Sequence, residues 1–237
     1  MSRFLQRLLG LPGPQAPHSA ATLAEDAGAP AHTPHGDAHG ASHKDYEGAK
    51  TGMWIFLFTE LLLFGGLFLV YAVYRQVYTH EFHEAARELN RVLGVANTFV
   101  LLTSSLTMVL AVTALQRGDR TSTLNTLFWT LFLAGTFLVI KAFEWGAKFS
   151  HGLYPGSEHL RELPLGEGLF FGLYFVMTGL HGFHVIVGMI LLAVVARRVQ
   201  DGRVHGGDFV LLENAGLYWH LVDLIWIFLL PLFYLTN

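Results

Sequence analysis

From Met53 onward the chain alternates long apolar runs with short polar ones. Five runs stand out, at residues 53–74, 94–115, 124–147, 169–195 and 215–235. Several exceed twenty residues with one ionisable side chain or none. A hydrocarbon layer about 30 Å thick takes roughly 20 apolar residues per helical crossing, so each run is predicted to be a membrane span. The strands of a closed β-barrel would alternate apolar and polar positions over about ten residues. These runs are apolar all round, and helices then satisfy the backbone inside lipid. The predicted fold class is an all-α membrane protein, a bundle of five transmembrane helices with a disordered polar N-terminal tail.

Two polar stretches add to that pattern. Residues 81–92 carry Phe82, Ala85, Ala86, Leu89 and Val92 among charges, which predicts an amphipathic surface helix leading into the second span. Residues 1–50 form the tail, a separate unit from the spanning domain at 51–237. Its first eleven residues suit a short amphipathic helix, with Phe4, Leu5, Leu8 and Leu9 on one side and Arg3 and Arg7 near the other. Residues 12–45 are rich in Pro, Ala, Gly and His with little to bury, and read as disordered. His18, His32, His35, His39 and His43 lie there, and a flexible tail holds no defined metal geometry.

Composition sharpens the picture. Only 14% of the 237 residues are charged, against about 25% in an ordinary globular domain. A net charge of −3 with no basic face argues against a nucleic-acid partner. With no cysteine, disulfides, thiolate catalysis and iron–sulfur sites are excluded. Orientation follows from Lys and Arg in the loops. Arg3, Arg7, Lys44, Lys50, Arg117, Arg120, Arg197, Arg198 and Arg203 share one side; Arg75, Arg87, Arg91, Lys148 and Arg161 share the other. The richer side is predicted to be cytoplasmic, with the N-terminus inside and the C-terminus outside.

Candidate chemistry lies in the ionisable groups of the spans, each of which costs at least about 2.5–3.5 kcal/mol at the bilayer centre. At about 1.5 Å per residue, Glu60 lies about 11 Å into the first helix from its cytoplasmic end. His220 and Asp223 lie about 8–12 Å into the fifth, counted from the same side. One polar cluster of these three is expected if the two helices are neighbours. No basic residue shares Glu60's helix near its depth, so it is protonated, paired from another helix, or facing water or a headgroup.

Lys141 and Glu144, at i and i+3 on the third span, suit an ion pair that fixes helix packing, with Lys148 continuing the stripe outward. His181 and His184 on the glycine-rich fourth span suit hydrogen bonds to neighbouring helices. A His-x-x-His pair on its own lacks further ligands for haem or metal. Other motifs fail on spacing. His80 and His83 are too close for a zinc protease, and no nucleophile elbow or glycine-rich phosphate loop occurs.

Ordered motifs then carry a resemblance. YWHLVDLIWIF at 218–228, TGLHGFHVIVG at 178–188 and WIFLFTELLLF at 54–64 resemble helices of subunit III of the haem–copper terminal oxidases. LLTSS at 101–105 and KAFEW at 141–145 fit between them in the right order. The resemblance covers about residues 50–237 and is closest to the five-span bacterial type, which lacks the first two helices of longer members. In those members the two helices wall a cleft that holds phospholipid.

What the resemblance implies is a non-redox accessory subunit with no haem or copper of its own, those cofactors belonging to partner subunits. It would bind subunit I directly, with subunit II in the same complex and a small subunit IV as a further candidate. Structural phospholipid would be ordered at the contact, and Glu60, His220 and Asp223 would support proton uptake from the cytoplasmic side of a bacterial inner membrane. The electron donor is left open between cytochrome c and quinol, and a nitric-oxide-reductase-associated relative shares the pattern. Outside this family, intramembrane Glu, Asp, Lys and His would also suit a proton-coupled transporter, but internal repeats and mid-membrane helix breaks are not found.

Overall fold

The computed structural model describes residues 46–235. Among them are seven helices and no strand: α1 (Tyr46–Val77), α2 (Thr79–Arg87), α3 (Arg91–Gln116), α4 (Arg120–Ser150), α5 (Glu158–Glu162), α6 (Leu165–Gln200) and α7 (Val210–Tyr234). Five of these, α1, α3, α4, α6 and α7, are long and apolar enough to cross a membrane. The chain is a multi-pass membrane protein. The expected amphipathic helix at residues 1–11 and the histidine tract lie outside the described residues.

Each long helix runs beyond its apolar stretch, because backbone pairing continues through polar residues at the interface. α1 begins seven residues before Met53, passing through Glu47 and Lys50, and α6 continues through Arg197 and Arg198. The surface helix differs from expectation at its end. It stops at Arg87, and Asn90 caps α3 by accepting a hydrogen bond from the Leu93 amide at 3.2 Å. Val92 therefore belongs to α3 and faces outward at 77% exposure, whereas Phe82, Ala85, Ala86 and Leu89 are buried as the pattern requires.

α3 turns into α4 through Arg117, Gly118 and Asp119. Gly118 has φ 80°, the left-handed conformation that ends helices. Its amide donates to Leu115 and that of Asp119 donates to Ala114, closing the last turn of α3. Asp119 then caps α4, accepting from the Ser122 hydroxyl at 2.6 Å and the Ser122 amide at 3.0 Å. These bonds, the hydroxyl's first, hold the Asp119 carboxyl below its ordinary range. The cap is complete above the ordinary carboxylate pKa of about 3.9 and is lost as pH falls through the lowered folded value. The protection factor of the Ser122 amide is therefore expected to hold down to about that ordinary value and to fall only below it. Loss of protection at higher pH would contradict the cap.

Buried positions repeat every three and four residues on α3 (Gly94, Asn97, Leu101, Ser104, Met108, Ala111, Leu115) and on α4 (Thr123, Leu127, Thr130, Ala134, Phe137, Lys141, Glu144, Lys148). That alternation is the seam of two helices meshing along their length. Small and hydroxylated residues let the backbones approach, as lipid-embedded pairs require. The Ser104 hydroxyl donates to the Thr130 carbonyl at 3.2 Å, and the Thr107 and Thr130 hydroxyls lie 2.8 Å apart. α7 is the central helix, packed on α1, α2, α3 and α6, and it buries Trp219 and Trp226 fully. α1 is peripheral. Its buried residues Leu57, Phe64 and Tyr71 form a single stripe, while Trp54, Phe58, Leu62 and Leu69 face outward.

Candidate functional site

The polar groups inside the bundle fall into three centres. In the N-terminal half of α1, Glu60 Oε2 lies 2.9 Å from His184 Nε2 of α6. His184 Nδ1 is 2.8 Å from the Leu180 carbonyl, which can only accept, so Nδ1 carries a proton. Nε2 and the Glu60 carboxyl must then share one further proton, placed on either partner. Phe64 packs its ring edge-on to His184 at 5.4 Å, and the Tyr218 hydroxyl donates to the His184 carbonyl at 3.1 Å. α1, α6 and α7 are thus tied at one point, and Glu60 is paired from another helix.

The expected single cluster of Glu60, His220 and Asp223 resolves differently. His220 Nδ1 lies 2.6 Å from the Ser105 hydroxyl of α3. Asp223, buried on the same stripe of α7, makes no hydrogen bond of normal geometry, though the Ser105 hydroxyl is close enough to act on its carboxyl. His220 also borders an apolar groove with Leu57 and Leu61 of α1. Depth places Glu60 and His220 in one layer but leaves their directions open. Neighbouring residues on α1 point about 100° apart, so Leu57 and Leu61 meet His220 while Glu60 turns to α6.

The third centre lies in the C-terminal half of α4. Lys141 Nζ donates to Glu144 Oε2 at 3.0 Å, to the Tyr174 hydroxyl at 3.1 Å and to the Tyr234 hydroxyl at 2.9 Å. All three ammonium donors are used. Both phenols in turn donate to Glu144 Oε1, Tyr174 at 2.9 Å and Tyr234 at 2.5 Å. The Trp226 ring lies 5.1 Å from Nζ and adds a cation–π contact. One helix turn beyond Glu144, Lys148 donates to the Glu88 carbonyl and fastens α4 to the segment between α2 and α3.

Tyr174 and Tyr234 are functional partners that spacing along α4 alone misses. Tyr174 stands seven residues before His181 and so shares its face, the one available signal. His181 itself packs between Phe137 and Trp226. His181 and His184, three residues apart, thus turn to different neighbours, and among the described residues no three His, Asp or Glu groups gather as a metal ligand set would.

The comparisons with known proteins agree with this architecture. The family model for cytochrome c oxidase subunit III matches residues 33–237. The cytochrome c oxidase subunit 3 of Synechocystis is 33% identical over 84% of this chain and 80% of its own length. That of Thermostichus vulcanus is 29% identical over 84% and 92%. A haem–copper oxidase subunit I+III of Aeropyrum pernix is 30% identical over 79% of this chain, which spans only 22% of that longer protein. Five spanning helices, the five motifs within them and a match across most of the sequence lead to one assignment: the chain belongs to the cytochrome c oxidase subunit III family.

Proposed function

We propose that this chain is the non-redox flank of a proton-pumping cytochrome c oxidase, seated against subunit I in a bacterial inner membrane with its N-terminus cytoplasmic. Subunit II belongs to the same complex, and a small subunit IV is a further neighbour. Haem and copper belong to the partners. The reading rests on where the ionisable groups turn. Glu60 of α1 engages His184 of α6, and the Lys141–Glu144 pair of α4 engages Tyr174 of α6 and Tyr234 of α7, while large apolar side chains cover the outward faces of α1 and α3. The Aeropyrum pernix relative, named as subunit I+III, supports the choice of subunit I as neighbour.

On this reading the cytoplasmic-side groups serve proton uptake. The Glu60–His184 pair holds one proton between two largely buried side chains and can pass it without moving a helix. His220 and Asp223 add hydrogen-bonding capacity nearer α3. Phospholipid lies along the exposed apolar faces and keeps the catalytic neighbour active through repeated turnover.

The test is Glu60→Ala in the native complex. Haem content per subunit I is expected to stay normal, while phospholipid retained after purification falls and activity decays faster during continuous turnover. Normal lipid and an unaltered decay rate would overturn the role given to Glu60. A loss of haem would show an assembly function instead.

A further inference from the structure

His220 has one ring nitrogen left over. Its Nδ1 lies 2.6 Å from the Ser105 hydroxyl, while Nε2 has no hydrogen-bond partner among the described residues. Unlike the nitrogens of His181, Nε2 is not sealed in, and His220 lines an open groove between α1 and α7. Apart from His220, every described side chain bordering that groove is Leu, Phe or Trp.

Depth decides what can meet Nε2. The Lys50–Glu213 ion pair, 2.9 Å long, joins α1 to α7 near the start of both helices. His220 stands seven residues beyond Glu213, about 10 Å deeper at 1.5 Å per residue. Phospholipid keeps its phosphate and ester oxygens in the headgroup layer and brings only hydrocarbon to that level, which satisfies no nitrogen. A ligand that fits must carry a hydrogen-bonding oxygen down into the apolar zone. Room is present: the groove holds about 410 Å³, within the usual range of small-molecule sites, about 300–1,000 Å³. Trp54 and Phe58 on its α1 side supply aromatic surface for a flat ring. The Ser105 hydroxyl can donate to Nδ1 or accept from it, so Nε2 is offered either with a proton or bare. The same nitrogen then donates to a carbonyl oxygen in one tautomer and accepts from a hydroxyl in the other.

We propose that the groove between α1 and α7 binds a lipid quinone, with His220 Nε2 hydrogen-bonded to one ring oxygen. The quinone carbonyl takes the protonated nitrogen and the quinol hydroxyl the bare one, so both forms are held, and the hydrocarbon tail runs out into the bilayer. Ser105 is the positioning residue, since it sets the tautomer of His220. The site is one of binding and transfers no electron. It rests on α1, α3 and α7 alone, not on which subunit is the neighbour.

Photolabelling of the assembled complex in its own membrane tests this, with an azido-quinone as probe and either unlabelled quinone or phospholipid of equal tail length as competitor. Label is expected on residues 54–61 or 217–224, displaced by quinone and not by phospholipid. His220→Leu should lower it several-fold. Leu224→Trp, which fills the groove from a position 44% exposed, should abolish it. Absence of label from both segments overturns the proposal, and label on another subunit instead would show that a partner covers this face. Displacement by phospholipid overturns it too, marking a groove for acyl chains, as does equal labelling of the wild type and the variants. Should His220→Leu fail to assemble, Leu224→Trp decides, and labelling at the wild-type level there sinks the quinone site.

Discussion

Glu144→Leu is expected to destabilise the folded chain by about 3–5 kcal/mol, the usual consequence of leaving a buried charge without its counter-ion. Lys141 would keep two phenol oxygens as neighbours but no anion, under a side chain only 7% exposed. Lys141→Met should cost less, because Glu144 would still accept from Tyr174 and Tyr234 and can take up a proton. The double variant, Lys141→Met with Glu144→Leu, should recover most of the loss, since a well-packed apolar pair substitutes for a buried ion pair at little cost. Thermal release of this chain from the purified complex gives all three values. If the double variant is as weak as the sum of the singles, the two side chains are not coupled and the described network is wrong.

Gly188→Val should produce the second large effect, about 3 kcal/mol, the upper end of what overpacking costs. A Cβ at Gly188 would stand 2.8 Å from Trp219 Cε3 and 3.2 Å from Tyr218 Cε1. Trp219 is fully buried and its indole donates to Ser104 at 3.2 Å, so the ring cannot give way without breaking the α3 contact. Gly172→Ala on the same helix is the counter-test. Nothing lies within 4 Å of that position, and Ala favours a helix over Gly by up to about 1 kcal/mol. Similar losses at both positions would mean that α6 tolerates no substitution anywhere, and that close packing on α7 is not the cause.

The two outcomes show what could be read along the chain and what could not. Spans are legible because lipid imposes one rule on every residue between Met53 and Tyr74, or between Leu169 and Val195. Helix ends are less so: water and headgroups accept Glu47, Lys50, Arg197 or Arg198 in helix or coil alike, and capping settles the matter locally. α5, five residues begun by the Ser157 cap, carries too short a pattern to be seen in advance. Within the candidate site, pairs on one helix such as Lys141 and Glu144 follow from spacing. Pairs between helices do not. Glu60 finds His184 because of how α1 is rotated against α6, and Tyr234 reaches Lys141 because α7 crosses near it. Neither rotation nor crossing is written in the hydropathy of a single helix.

The central position of α7 bears on how the chain is made. Ribosomal synthesis delivers α1, α3, α4 and α6 to the membrane before the helix that they all surround or adjoin. Until Trp219 and Trp226 arrive, Ser104, Thr98, Lys141 and Gly188 face vacant ground, and the α3–α4 hairpin is the one extensive contact already available. Assembly is thus a waiting game won at the end of translation. A chain stopped short of Val210 would present quality-control proteases with an unlocked bundle, whatever the soundness of its earlier segments.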